Sequence, residues 1–380
     1  MAWRQFIGIE NPQNHAPESD LMKLVLRTLL LLALAALLPA QQSAVPGKEW
    51  ERWPNPEAAG YSSKRLEAVR GWLQSLPTTA MMVAVDGKSL FEYGDLSHLS
   101  YLASVRKSIL AMLYGNYVER GVIDLDKTLK EIGLNDIQGL QSRELEATVE
   151  HLISARSGVY HPASNPGDNT DSAPPRNSQR PGAYYLYNNW DFNAAGAAFE
   201  NLTGIDIHDA VEKDLARPIG MQDFDRSKQQ KSGDPKRSQH MAYHMWLSTR
   251  DMARIGLLMQ REGDWGGKQV IPRAWARRII SLVTPFADMN PPSLRSTGQP
   301  SRWGYGYMWW VWDAPANASG AFRGAYTGMG AIGQYITVLP QLNMVIAHKT
   351  DPAGRRAVNS LDYMATLHML IASRCQGPCQ

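Results

Sequence analysis

The constraint that bears hardest on the fold is where the strand signals fall, at the two ends of the chain. Near the start, MMVAVDG (81–87) and SLFEYGD (89–95) read as a hairpin, preceded by a helix over 62–76 (SSKRLEAVRGWLQSL) that opens on a serine cap. The other strong strand signals are WGYGYMWWVW (303–312), IGQYITVLP (332–340) and LNMVIAHKT (342–350), followed by a last helix expected over 356–373. Strands must pair to satisfy their backbone groups, so both ends of the chain should meet in one sheet. The stretch between them has helical periodicity at 104–120, with short helices and turns at IDLDKTLKEIG and TVEHLISARSG. It becomes an inserted helical lobe over about 120–280, and the fold class is α+β with a cleft expected where the lobes join. No internal repeat is present.

Three polar, proline-rich stretches interrupt the lobe and its exit, at 160–183, 225–240 and 285–302. Loops of this length inside a domain are either functional lids or disordered. With 380 residues, 44% of them hydrophobic, the chain can bury a large core. Its formal charge is only +3, and the arginines are scattered rather than gathered in a stripe, which excludes a nucleic-acid partner.

Residues 22–44 carry an export signature. Lys23 and Arg27 precede the apolar run TLLLLALAALLPA at 28–40, and the small residues of QQSA follow. The run is short for a membrane span, so the expectation is a cleaved signal peptide ending at Ala40 or Ala44, an exported (periplasmic or secreted) protein, and membrane attachment only if the signal stays uncleaved. Residues 1–21 resemble no export signal. The remaining 45–380 is expected to form a single domain. The only cysteines, Cys375 and Cys379, lie four apart near the end of the sequence, suited to a small disulfide rather than to catalysis.

Ser104 and Lys107 form the one S-x-x-K in the chain, at the mouth of the 104–120 helix. Positions i and i+3 share a helix face, and a desolvated amine there can take the serine's proton. The competing reading is a helix cap followed by a solvated lysine. A second signal is Tyr187-Asn188-Asn189: a phenol can pass a proton, and an amide can bind a carbonyl or hold the lysine. The other Y-x-N contains Tyr114, which lies roughly 15 Å along the same helix as Ser104 and reads as packing.

Taken in order, Ser104-x-x-Lys107, TVEHLISARSG, and Tyr187-x-Asn189 followed by a small-residue helix ending in Leu-Thr-Gly resemble the penicillin-recognising serine hydrolases, and among them the class C β-lactamase-like group. That group includes β-lactamases, D-alanyl-D-alanine peptidases, esterases and 6-aminohexanoate-dimer hydrolases. The likeness runs from about Glu57 to about Ile371 and takes in WLSTRDMARIG and the last strand pair. It implies a β-lactamase/transpeptidase-like fold, with a five-stranded antiparallel sheet flanked by helices and an all-helical lobe. It also implies Ser104 as the acyl-accepting nucleophile, Lys107 and Tyr187 sharing the base role, Asn189 orienting substrate or lysine, and no metal or organic cofactor.

One departure bears on substrate. The group's third motif, Lys-Thr-Gly or His-x-Gly, has no direct counterpart here. Tyr326-Thr327-Gly328 is the nearest fit, which the resemblance makes the substrate-binding motif with Tyr326 and Gly328 toward substrate, and Gly328-Met329-Gly330 gives a second register. Lys349-Thr350-Asp351 ends a later strand and is a decoy. An oxyanion hole would use the backbone N–H of Ser104 with that of Met329 or Ala331. A tyrosine cannot supply the cation that binds the carboxylate of penicillins and D-alanyl peptides. The reading is therefore a serine hydrolase of a small ester or amide, ahead of a β-lactamase or D-alanyl peptidase, and ahead of an exported binding protein that has lost turnover.

Other residues carry competing readings. His240 and His244 in HMAYH are spaced for one helix face, but no third metal ligand accompanies them. His151 and His161 read as packing or loop residues. The tryptophan-rich 303–312 reads as sheet packing or as one wall of an apolar substrate pocket.

Overall fold

The chain organises around an antiparallel sheet whose strands come from both of its ends. A computed structural model describes residues 45–295, 302–313, 320–350 and 356–379, so the expected signal segment lies outside the described residues. Among these, the strands are β1 (Thr78–Val85), β2 (Lys88–Gly94), β3 (Trp303–Tyr305), β4 (Trp310–Trp312), β5 (Tyr326–Gly330), β6 (Gln334–Leu339) and β7 (Met344–Thr350). They lie in the order β2-β1-β7-β6-β5-β4-β3, every neighbour antiparallel.

The sheet therefore has seven strands where five were expected. Residues 303–312 account for much of the difference, because they form two strands instead of one. Gly306 turns the chain by donating its N–H to the Trp309 carbonyl (2.8 Å), and Met308 stands at a left-handed φ of 58°. A Cβ on Gly306 would come within 2.5 Å of the Ile279 carbonyl oxygen, so only glycine fits that turn.

Two helical layers sandwich the sheet, and the period of two along β1 decides which residues each layer meets. Met81, Val83 and Val85 point to one face, where α1 (Ser63–Ser75) and α7 (Ser360–Ala372) cover them with Leu66, Val69, Leu73, Leu367 and Leu370. Met82 and Ala84 point to the other face, against α2 (Val105–Glu119) and α5 (Thr249–Gln260). A Cβ on Gly256 of α5 would lie 2.4 Å from Val345 Cγ1, a measure of how closely that helix rides on β7.

The inserted lobe is built around α3 (Val149–Ile153), α4 (Asn189–Thr203) and α6 (Arg273–Ile279), with much of the remaining chain in turns. The segment HMAYH is not helical. Ala242–His244 is a short strand paired with Gln230–Ser232, so His240 and His244 do not share a helix face. Five residues with apolar positions between polar ones fit either period, and pairing decided the outcome.

The 160–183 loop is pinned to α4: Asp168 accepts from the Asn189 N–H (2.7 Å), and Asn189 Nδ2 donates to the Pro166 carbonyl (2.9 Å). Cys375 and Cys379 form a disulfide. Among the described residues no helix is long and apolar enough to cross a membrane.

Candidate active site

Ser104 occupies the N-cap position of α2, yet its side chain caps nothing. Ala103, just before it, stands at φ 49°, a conformation that costs energy in a residue with a Cβ. Strain of this kind must be held by surrounding contacts. Leu102 N–H donates to the Met245 carbonyl (2.9 Å), and β5 presses on Leu102 from the other side.

Lys107 lies one turn into α2 and is 1% exposed. Its Nζ bonds Ser104 Oγ (3.0 Å), Tyr187 Oη (2.6 Å) and Asn189 Oδ1 (2.7 Å), and lies 4.2 Å from the ring centre of Tyr187 and 4.3 Å from that of Phe192. Burial, reinforced by the positive charge of Arg106 and opposed by Asp168, holds the ammonium pKa well below its ordinary value. A neutral amine has two protons and one lone pair, so one of its three contacts must be an O–H donating to nitrogen. Asn189 Oδ1 can only accept, which leaves the serine or the tyrosine as that donor.

Tyr187 reaches the lysine from the residue that leads into α4. Asn188 is the cap of that helix, its side chain accepting from Asp191 N–H (2.8 Å), so the turn that starts the helix also aims Tyr187 and Asn189 inward. Burial pushes the phenol up to about 12, offset partly by its hydrogen bond with Ser104. Behind it, Asp191 is buried against Ser157, whose Oγ donates at 2.5 Å; burial raises this carboxyl to about 8.

Gly328 and Gly330 of β5 point at the start of α2. A Cβ at Gly328 would lie 3.0 Å from Ser108 Oγ, and one at Gly330 would lie 2.4 Å from the Leu102 carbonyl oxygen. The backbone of Met329 thus runs between two contacts that bracket Ser104, while Ala331 lies beyond the end of the strand. Tyr326 is buried and meets Trp309 edge-on at 5.6 Å; among the described residues its hydroxyl makes no hydrogen bond to the serine, the lysine or Tyr187. Sequence spacing placed Tyr326 toward substrate, whereas the fold uses its ring as packing.

The tryptophan run contributes Trp310, which stacks on Tyr187 with ring centres 5.6 Å apart. Trp310 and Met329 also wall an apolar cavity of about 230 Å³, completed by Phe286, Met289, Leu294, Tyr335 and Met364 among others, with no charged lining residue among the described residues.

The remaining candidates lie in supporting roles. Tyr114 is buried and donates to the Ala195 carbonyl (2.6 Å). His151 completes a capping box with Thr148, His161 and His240 bond backbone carbonyls of Ile137 and Asn135, and His244 bonds the Tyr101 hydroxyl. Lys349 is buried and donates to the carbonyls of Ser100 and Leu247. Sequence reasoning missed Asp168, Phe192 and Arg106 around the lysine. Their only local signal was proximity in sequence to residues already singled out.

The β-lactamase family model matches residues 64–359. The chain belongs to this family of serine hydrolases. Solved structures confirm the fold: a putative 6-aminohexanoate-dimer hydrolase from Bacillus anthracis is similar at TM-score 0.60 and 18% identity, covering 87% of this chain and 88% of that one. A hydrolase with promiscuous acyltransferase activity, EstCE1, gives TM-score 0.59 at 14% identity over 83% and 99% of the two chains. A class C β-lactamase mutant gives 0.58 at 15% identity over 82% and 98%. Among curated proteins, an uncharacterised protein of Alkalihalophilus pseudofirmus is 29% identical over 33% of this chain and 37% of its own length. Monacolin J acid methylbutanoyltransferase of Aspergillus terreus is 27% identical over 34% and 38%. The matched stretch thus spans under two-fifths of these curated relatives.

Proposed function

We propose that this protein is an exported serine hydrolase that cleaves a small ester or amide through an acyl-enzyme on Ser104. The observation that carries this reading is Lys107 Nζ, buried and within bonding distance of both Ser104 Oγ and Tyr187 Oη. In the first step Ser104 Oγ attacks the substrate carbonyl while its proton passes to the Lys107–Tyr187 pair. The tetrahedral oxyanion is held by the N–H groups of Ser104 and Met329, the register that the two flanking glycine contacts support. The proton is then delivered to the leaving alcohol or amine, and water enters by the reverse path.

The buried tyrosine at position 326, where a cation would otherwise stand, favours an uncharged substrate over penicillins or D-alanyl peptides, whose carboxylate needs a cation. Two of the relatives are named for acyl transfer, so an alcohol acceptor is a variant of the same chemistry.

The test is intact mass after fluorophosphonate treatment of wild type and Ser104→Ala, with turnover of p-nitrophenyl esters and nitrocefin. A single adduct on wild type alone, with ester turnover, supports the reading. An adduct without turnover points to a binding protein of this fold, and absence of both removes the serine mechanism.

A further inference from the structure

Arg106 lies next to Lys107 on α2 and is 2% exposed. Its guanidinium sits 4.5 Å from the ring centre of Tyr243 and donates from Nη2 to Asn193 Oδ1 at 3.4 Å, while Nε and Nη1 have no hydrogen-bond partner. Among the described residues no carboxylate pairs with it. Burying a charge without a counter-ion is costly, and an apolar side chain of similar length would avoid the cost. The reaction derived above makes no use of this cation. Its position, however, is within a residue of the group whose protonation the reaction depends on.

We propose that Arg106 is an electrostatic positioning residue, a fixed buried cation that holds Lys107 in its neutral, proton-accepting form. The groups facing Lys107 allow the assignment. From α2 comes Ser104, with the charge of Arg106 acting from the next helix position, itself faced by Tyr101, Tyr243 and His244, and from the start of α4 come Tyr187, Asn189 and Phe192. From the 160–183 loop comes Asp168, which accepts from the Asn189 N–H (2.7 Å) and from Thr170 Oγ1 (2.5 Å). Two of these carry fixed charge, and they oppose each other: Asp168 favours the ammonium and Arg106 the amine. The same cation also eases ionisation of Tyr187, so both members of the proposed base pair feel it in the productive direction.

The inference rests on the serine mechanism proposed above, and its test separates the two. The pH profile of kcat/KM for p-nitrophenyl acetate, and of the fluorophosphonate labelling rate, is measured for wild type, Arg106→Met, Arg106→Gln and Arg106→Lys. At the effective dielectric of a protein interior, loss of the charge should move the acid limb up by about one pH unit. Arg106→Lys should leave the limb in place, which loss of packing alone would not do. Should neither neutral variant fold, Asp168→Asn carries the test, with the limb expected to move down by a similar amount. Wild-type turnover with a limb that none of these variants moves overturns the inference and leaves the serine mechanism standing. Absence of wild-type labelling and turnover removes both.

Discussion

Lys107 Nζ and Asn189 Oδ1 lie 2.7 Å apart, and the contact can run in one direction only. The amide is oriented by its other end, where Nδ2 donates to the Pro166 carbonyl (2.9 Å), so the oxygen is the atom offered to the lysine. Asn189 therefore takes one amine proton and turns the rest of the nitrogen toward Ser104 and Tyr187. Asn189→Asp should place a carboxylate on the amine, favour the ammonium and shift the acid limb of kcat/KM up by about one pH unit or more. Asn189→Ala should lower kcat/KM by roughly tenfold through loss of one hydrogen bond, with the limb unmoved. Ester turnover across pH 5–9 checks both; identical profiles for the two variants would reject a role in setting the lysine.

Tyr187 joins two functions in one side chain. Its hydroxyl meets Lys107, and its ring stacks on Trp310. Tyr187→Phe keeps the ring and removes the hydroxyl, so the melting temperature should change little while ester turnover falls roughly 10²- to 10⁴-fold, as expected for loss of a proton carrier. Fluorophosphonate should still label Ser104, more slowly. Turnover near the wild-type level in this variant would assign the whole base role to Lys107.

The third motif is a matter of backbone approach more than of side-chain chemistry. Gly330→Ala would drive a Cβ against the Leu102 carbonyl oxygen, which cannot move without disturbing the strained Ala103 and the serine after it. Overpacking of this kind costs about 1–3 kcal/mol and should depress turnover severely. Gly328→Ala meets no backbone but only the Ser108 side chain, with Oγ at 3.0 Å and Cβ at 3.3 Å, and Val105 Cγ1 at 3.6 Å, so its effect should be smaller. Tyr326→Lys should destabilise the protein and gain no nitrocefin hydrolysis, because position 326 is buried under Trp309. Thermal melts with paired activity assays rank the three variants.

What the sequence disclosed followed the range of its signals. Ser104 and Lys107 are legible because one helical turn fixes their relation, and Tyr187 and Asn189 because the cap that starts α4 fixes theirs. The third motif resisted reading, since several glycines offer equivalent registers and only their contacts with α2 distinguish them. Asp168 and Arg106 stayed hidden because their influence on Lys107 depends on burial and on a loop folding back. The 303–312 run read as one strand because alternation survives a tight turn on paper; the close pass of Gly306 to Ile279 is what breaks it. HMAYH misled for the opposite reason, being too short for any period to be decisive.

Buried imidazoles should set the acid stability of the fold. His348 is fully buried in β7 between the Thr78 hydroxyl and the Gly333 carbonyl, and burial lowers its pKa to about 4. The folded value lies below the unfolded one of about 6.5, so between these values the unfolded chain binds more protons. The contribution is complete above about pH 6.5 and is lost as pH falls toward about 4, at most on the order of 3 kcal/mol for this residue. His208 and His244, also lowered to about 4 by burial, add to the same trend, with smaller weight at the partly exposed His244. Urea unfolding of wild type and His348→Gln at pH 7 and pH 4.5 isolates the effect, since the carboxylates are common to both proteins. The loss of stability between the two pH values should be smaller in the variant; equal losses would show that His348 does not titrate with unfolding.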